Sequence, residues 1–269
     1  MKDQLGDRMK RYEAVSDTKL LIKTPVIIRI DGKAFHTLTK NLNSPFDELF
    51  TKAMNKTMMK LCKEVPNTRF GYVQSDEISL CLLEPSVYSD AWFDNRLSKL
   101  CSIAAATATL AFHQAMEAEM DELRECLEET IVETDFEPKY QALLDQAVFD
   151  ARAFNLPPHE VINYFIWRQQ DCRRNAILRV GQEFFTQKGI NRLQTPGILQ
   201  KLKTDLDWDF EEKVLTCYKL GRCCYRTEVI RPSQDESGVL RYDYQLDEEP
   251  PIFSEDRAYI TDCLVLEET

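Results

Sequence analysis

Two aspartates carry the first chemistry that this sequence offers. Asp31 ends the apolar run Pro25-Val-Ile-Ile-Arg-Ile30, and Asp76 sits in Ser75-Asp76-Glu77 between Phe70-Gly-Tyr-Val-Gln74 and Ile78-Ser-Leu-Cys-Leu-Leu83. Two carboxylates held together repel each other unless a proton or a cation lies between them. Hard oxygen ligands of this kind suit Mg²⁺, which completes its octahedron with water, backbone carbonyl and substrate phosphate. Two such ions serve in-line displacement at phosphorus. Gly32, directly after Asp31, either lets the backbone approach metal and phosphates closely or serves only as a turn residue. Asp-Gly at a strand end and Ser-Asp-Glu in a hairpin are also ordinary turn chemistry, so spacing alone leaves both readings open. Glu77, beside Asp76, falls on the opposite face of a strand and reads as a supporting acid.

Basic and polar groups surround these acids. Arg29, Lys33, His36 and Lys40 flank Asp31, and Arg96 and Lys99 are spaced three apart on a helical pattern. Such charges suit a triphosphate, although each alone is equally an ordinary surface residue. No G-x-x-x-x-G-K-[ST] loop is present, which disfavours a P-loop nucleotidase, and the three histidines support no Cys-His or Ser-His hydrolase arrangement. A third group, Tyr164-Phe-Ile-Trp-Arg168 with Arg173, Arg174 and Asn175, would either stack on and grip RNA or form a core-packed face with a basic solvent side.

Periodicity supplies the elements that must position these groups. The run 25–30, rich in β-branched residues and bounded by Pro and Asp-Gly, predicts a buried strand with Asp31 at its end. Helical spacing from Leu49 to Leu61 predicts an amphipathic helix over 46–63. Residues 70–74 and 78–83 predict a hairpin with Asp76 at its tip. An Ala-rich stretch without Gly or Pro predicts a long helix over 90–116, followed by a strand near 146–154 and a helix over 159–178. The order strand, helix, strand, strand, helix, strand predicts a split βαβ core of the α+β class, whose antiparallel central strands allow Asp31 to meet Asp76.

Composition limits the rest. The 269 residues are 43% hydrophobic, enough for an ordinary core. No signal-peptide pattern opens the chain and no apolar run approaches the roughly 20 residues of a membrane span, so a cytoplasmic location and no membrane partner are expected. Nine cysteines, an odd number without a CxxC pair, give neither a disulfide framework nor a zinc ribbon. The net charge is −11, but the acids concentrate in about 117–137 and 235–268. Those blocks read as solvated faces, and the mildly basic remainder can still meet a polyanion.

Four ordered motifs, Arg29-Ile-Asp-Gly-Lys-Ala-Phe-His36, Phe70-Gly-Tyr-Val-Gln-Ser-Asp-Glu-Ile-Ser79, Asn95-Arg-Leu-Ser-Lys99 and Tyr164-Phe-Ile-Trp-Arg-Gln-Gln-Asp171, together resemble the tRNA(His) guanylyltransferase family over about residues 25–180. Leu5-Gly-Asp-Arg-Met9 is similar to that family's start. The resemblance implies a polymerase-palm-like core (ferredoxin-like) over 1–155 with a helical or mixed C-terminal extension over 156–269, the two packed together and possible as one composite domain. It implies 3′-to-5′ nucleotide addition to the 5′ end of tRNA after activation by a nucleoside triphosphate, with ATP and GTP as substrates, and a homotetramer. Asp31 and Asp76 are then the catalytic pair and, with the Gly32 carbonyl, the ligands of two Mg²⁺ ions. The expected nucleotide-binding set is Arg29, Lys33, Ala34, Phe35, His36, Lys40, Ser75, Asp76, Arg96 and Lys99, and the expected RNA contacts are Arg168, Arg173, Arg174 and Asn175.

Two departures refine this. Eukaryotic members follow the Asp-Cys with a His-Ile-Asn-containing motif, whereas here Asp171-Cys172 leads into Arg173-Arg174-Asn175-Ala176-Ile177. That resembles the family's like-protein branch, whose members add template-matched nucleotides to 5′-truncated tRNAs. The alternatives are dedicated guanylate addition to tRNA(His) and, from another class, a noncatalytic RNA-binding relative, which would be expected to lose one of the paired acids. Ser44 stands before Pro45 where relatives often carry Lys, a role for which Lys40 is the substitute.

Overall fold

The computed structural model describes residues 4–84, 90–128, 136–191, 193–232 and 238–264. Its first half runs α1 (Gln4–Ala14), β1 (Val26–Gly32), α2 (Phe35–Leu38), α3 (Glu48–Glu64), β2 (Thr68–Gln74), β3 (Glu77–Leu82), a 3₁₀ turn at Trp92–Asn95, α4 (Leu97–Glu128), α5 (Phe136–Gln146) and β4 (Phe149–Asn155). Then follow α6 (Pro158–Phe184), α7 (Gln187–Ile190), α8 (Thr195–Leu206), α9 (Phe210–Lys213), α10 (Thr216–Lys219), β5 (Arg222–Pro232), β6 (Gly238–Asp247) and α11 (Ala258–Leu264). All strands join one antiparallel sheet in the order β4-β1-β3-β2-β5-β6. Mixed helix and antiparallel sheet is thus the architecture. The predicted alternation of β and α through β4 is present, with β1 and β3 as antiparallel neighbours.

Local chemistry accounts for the boundaries. Asp47 caps α3 by accepting from the Phe50 amide at 2.9 Å. Leu61, Met58, Met54 and Ala53 on α3 share one core with Ile28 and Ile30 of β1 and with Leu100, Ala104, Ala108 and Phe112 of α4. The opposite sheet face carries Ile27, Phe70 and Tyr72, covered by Val161, Tyr164 and Phe165 of α6 and by Phe253. Phe70 meets Phe165 edge-on at 4.8 Å between ring centroids, a contact contributing about 1 kcal/mol beyond the burial of each ring. A third cluster, Ile177 and Val180 with Ile198, Leu202 and Phe210, fastens the far half of α6 to α8 and α9.

Several boundaries differ from those the sequence predicts. The strand expected near 146–154 starts at Phe149, because Gln146 belongs to α5. Helix α5 rises from the edge of an acidic block whose charge masked its apolar positions Tyr140 and Leu143, both buried. The helix expected over 90–116 begins only at Leu97, since Phe93, Asp94 and Asn95 have left-handed φ values of 50°, 54° and 53°. Residues 129–135, 235–237 and 265–268 of the two acidic blocks lie outside the described residues. Among the described residues no helix is long and apolar enough to cross a membrane.

Gly221, at φ +77°, links α10 to β5 where a Cβ would sit 2.5 Å from the Tyr72 hydroxyl. That hydroxyl donates to the Leu220 carbonyl at 2.9 Å inside the core. Gly221→Ala adds left-handed backbone strain and displaces Tyr72, so it is expected to lower stability by about 2–3 kcal/mol in urea unfolding. A loss under about 0.5 kcal/mol would show that the loop relaxes without moving the tyrosine.

Candidate functional site

Alternation along β1 sends Ile28 and Ile30 toward α3 and α4 and leaves Ile27, Arg29 and Asp31 on the α6 face. Antiparallel register then sets Asp31 opposite Glu77 on β3 and opposite Asp150 on β4, a row of three carboxylates across the sheet. One pleat back, Arg29 lies opposite Ser79 and Arg152.

The hairpin tip is held over the end of β1. Ser75 takes a left-handed φ of 46°, and the Gly32 amide donates to the Asp76 carbonyl at 3.1 Å. Asp31 and Asp76 become neighbours, and both carboxyl groups titrate above their ordinary range. Burial and then the charge of Asp150 push Asp31 up; burial and then the charge of Asp31 push Asp76 up. A cation between them would remove this penalty. Gly32 has a packing reason as well: a Cβ there would lie 2.4 Å from the Phe35 ring, which is buried against Phe112 at 5.6 Å and Phe149 at 5.0 Å.

Glu77 is tied down by Arg168. The guanidinium donates from Nε to Oε1 at 2.7 Å and from Nη2 to Oε2 at 2.9 Å, and Nη2 also donates to Asp171 Oδ2 at 2.8 Å. Arg168 is only 5% exposed. Burial still raises the Glu77 carboxyl, outweighing the arginine. The arginine proposed as an RNA contact is therefore engaged in holding α6 to the β2–β3 hairpin.

A cleft of about 830 Å³ opens beside these groups. Asp31, Gly32, Ala34, Phe35, His36, Ser75, Asp76, Arg168 and Asn175 line it, so nine residues singled out by sequence converge there. Others lie elsewhere. Lys33 and Lys40 are exposed outside the lining, and Arg29 sits behind it against Trp167. Arg96 and Lys99 line a separate hollow of about 480 Å³ with Phe93 and Asp94. Arg173 pairs with Glu211, and Arg174 with Asp171.

The cleft also holds residues that sequence reasoning missed. Arg179 and Gln182 continue the face of Asn175 along α6, and following that helix one turn further would have found Arg179. Phe46 and Tyr218 stack at 4.4 Å with a 3° interplanar angle. Arg222 is buried, donating from Nε to Asn55 Oδ1 at 2.8 Å. Tyr218 and Arg222 come from the far end of the chain, and no local pattern links them to Asp31.

Fold and site together define an α+β protein whose chemistry converges on two carboxylates at one end of the central strands of an antiparallel sheet. The model of the tRNAHis guanylyltransferase (Thg1) family matches residues 6–157, more than half of the chain, and the protein belongs to that family. It is 28% identical over 221 residues to an uncharacterized protein of Acanthamoeba polyphaga mimivirus, covering 77% of this chain and 72% of that one. It is 30% identical to the tRNA(His) guanylyltransferase of Schizosaccharomyces pombe, covering 63% of this chain and 56% of that protein. Among solved structures, a bacterial tRNA(His) guanylyltransferase (Thg1)-like protein in complex with ATP is 33% identical, with a TM-score of 0.79 over 98% of this chain and all of that one. The corresponding complex with GTP gives 33% identity and a TM-score of 0.75, over 97% of this chain and 99% of the other.

Removing Arg168 leaves the largely buried Glu77 without its partner and Asp171 with Arg174 alone. Arg168→Met is expected to cost about 3–5 kcal/mol in chemical unfolding, and Arg168→Lys to recover only part, because an ammonium cannot meet Glu77 in bidentate fashion. Full recovery by lysine would mean that charge, not fork geometry, holds α6 to the hairpin.

Proposed function

We propose that this protein adds nucleotides to the 5′ end of tRNA in the 3′-to-5′ direction, using the cleft beside Asp31 and Asp76. The observation that carries the reading is the convergence of these two acids, both held above their ordinary range with Asp31 adding to the rise of Asp76, in a chain of the tRNA(His) guanylyltransferase family. An oxygen of the 5′ phosphate attacks the α-phosphorus of a nucleoside triphosphate and pyrophosphate leaves, so that a nucleoside monophosphate caps the 5′ end through an anhydride. The 3′-hydroxyl of the incoming nucleotide then attacks the 5′ phosphorus of the tRNA and the activating group leaves, so one phosphodiester bond forms as another phosphorus–oxygen bond breaks.

Asp31, Asp76 and the Gly32 carbonyl fit as ligands of two Mg²⁺ ions. Among the described residues no group of three or more His, Cys, Asp or Glu is arranged to hold a metal, so water, backbone and phosphate oxygens would complete the sphere, as Mg²⁺ prefers. When bound, such ions neutralise phosphate charge and align the displaced groups. The chain's own residues do the rest. His36, Ser75, Asn175 and Arg179 line the cleft with donors for phosphate oxygens, while Arg168 keeps the hairpin carrying Asp76 in place. Arg29, Lys33 and Lys40 supply cations around it, Arg96 and Lys99 stand in their separate hollow, and Arg173 and Arg174 extend toward RNA. The catalytic unit is the palm-like 1–155, with 156–269 packed on it through the shared sheet.

Likeness to the bacterial like-protein across nearly the whole chain, and Arg173-Arg174-Asn175 after Cys172, support template-matched repair of truncated tRNAs. The name of the Schizosaccharomyces pombe relative supports the second reading, guanylate addition to tRNA(His) alone. Labelled-nucleotide incorporation into several tRNAs lacking their first 5′ residue separates the two. Incorporation following the opposing base in more than one tRNA is expected; guanylate on tRNA(His) only, whatever lies opposite, would select the second reading.

Asp76→Asn is expected to cut incorporation by at least about 100-fold, while stability holds or rises, because a like charge is removed. Wild-type rates in a folded, magnesium-supplied Asp76→Asn protein would overturn the mechanism. A homotetramer is proposed with it: α1 buries none of its residues, and Leu5, Met9 and Tyr12 stay exposed. Replacing these three by Gln should lower the mass seen by light scattering, and an unchanged mass would exclude α1 from the interface.

A further inference from the structure

Trp167 stands on α6 immediately before Arg168 and is 51% exposed, unlike the ring of Phe165, which is fully buried. Its indole is held in place: Tyr164 meets it at 5.9 Å, the Arg168 guanidinium lies 4.3 Å from its centroid, and the Arg29 guanidinium 5.8 Å. Arg168 is already committed to Glu77 and Asp171. Arg29, partly buried, forms no ion pair within 4 Å among the described residues, and its charge acts on Asp31 and Glu77 only at longer range. Opposite Arg29 on the edge strand β4, Arg152 is exposed and 3.6 Å from Asp150.

An exposed, fixed indole bordered by guanidinium groups suits an unpaired nucleobase and its flanking phosphates. A folded core gains little from an aromatic left half in water, and a guanidinium beside it without a close ion pair favours an anion. The location is equally specific. Arg29 precedes Asp31 by two residues on the same sheet face, roughly 6.6 Å along β1, about the length of one nucleotide step. A strand that leaves the Asp31 and Asp76 carboxylates back along β1 passes Arg29 and the indole beside it.

We propose that Trp167 is a stacking platform for an unpaired base at the end of the bound RNA, with Arg29 and Arg152 meeting the phosphates on either side. This rests on the RNA reading above and adds the residue that grips the open end.

The test uses full-length protein carrying Trp92→Phe and Trp208→Phe, so that Trp167 alone fluoresces, titrated with a short RNA hairpin whose 3′ strand overhangs its 5′ end. Saturable quenching is expected with this hairpin and not with its blunt-ended form, nor with ATP or GTP alone. In filter binding, Trp167→Ala should weaken the overhanging hairpin by roughly 5- to 100-fold and Trp167→Phe by much less. Unquenched Trp167 with wild-type affinity in Trp167→Ala would overturn the platform while leaving RNA binding intact. Quenching by free nucleotide would assign the indole to the triphosphate substrate and overturn it too. A hairpin that fails to bind the wild-type protein at all would remove the RNA reading and this inference with it.

Discussion

The guanidinium of Arg168 is the charge on which the candidate site depends. A cation this deeply buried is tolerated only when its donors are paired, and its partners lie on two elements that local sequence does not connect. Glu77 begins β3 beside the hairpin tip, and Asp171 lies one turn further along α6. Satisfying one arginine therefore fixes α6 against the hairpin and forms two walls of the cleft. It also settles the electrostatics of the carboxylate row. Glu77 is paired with Arg168, Asp150 faces solvent near Arg152, and Asp31 and Asp76 stay above their ordinary range despite the arginines around them.

Packing beneath the acids makes this arrangement rigid. Phe35 occupies the space that a side chain at Gly32 would need, and it anchors α2 in a cluster with Phe50, Phe112 and Phe149. Asp47 caps α3 and accepts from the Tyr140 hydroxyl at 2.8 Å, joining α5 to the same floor. Strands β5 and β6 extend the sheet beyond β2, and that pairing carries Tyr218 and Arg222 to the cleft from the last quarter of the chain. Residues beyond the segment matched by the family model thus complete the cleft lining.

The overall charge of −11 gives little guidance about this surface. The acids crowd into two blocks, while the second half of α6 carries Arg173, Arg174 and Arg179. Affinity for a polyanion depends on where cations stand rather than on the net sum. The same helix carries the buried arginine that positions the hairpin and, next to it, the half-exposed Trp167.

How much was legible in the sequence follows from the range of each interaction. Asp31, Gly32, His36, Ser75, Asp76 and Asn175 were identifiable because each lies in a short motif, and because the strand-helix-hairpin order alone brings the end of β1 to the hairpin tip. The β-branched run of β1 and the apolar period of α3 likewise fixed those elements locally. Other residues were decided only in three dimensions. The sequence offered Arg168 as an RNA contact, but tertiary burial commits it to Glu77, ninety-one positions away. Arg96 and Lys99, grouped with the triphosphate residues by type, stand in a different hollow because the left-handed turn at Phe93–Asn95 sets where α4 begins. Helix α5 was hidden by its acidic surroundings, and Tyr218 and Arg222 by distance along the chain. Sequence by itself determined the paired acids and most of the elements that carry them, since periodicity and motif spacing are local. Which charges are spent on the fold and which are left for a ligand was decided by the tertiary structure, because desolvation exists only once distant segments have packed.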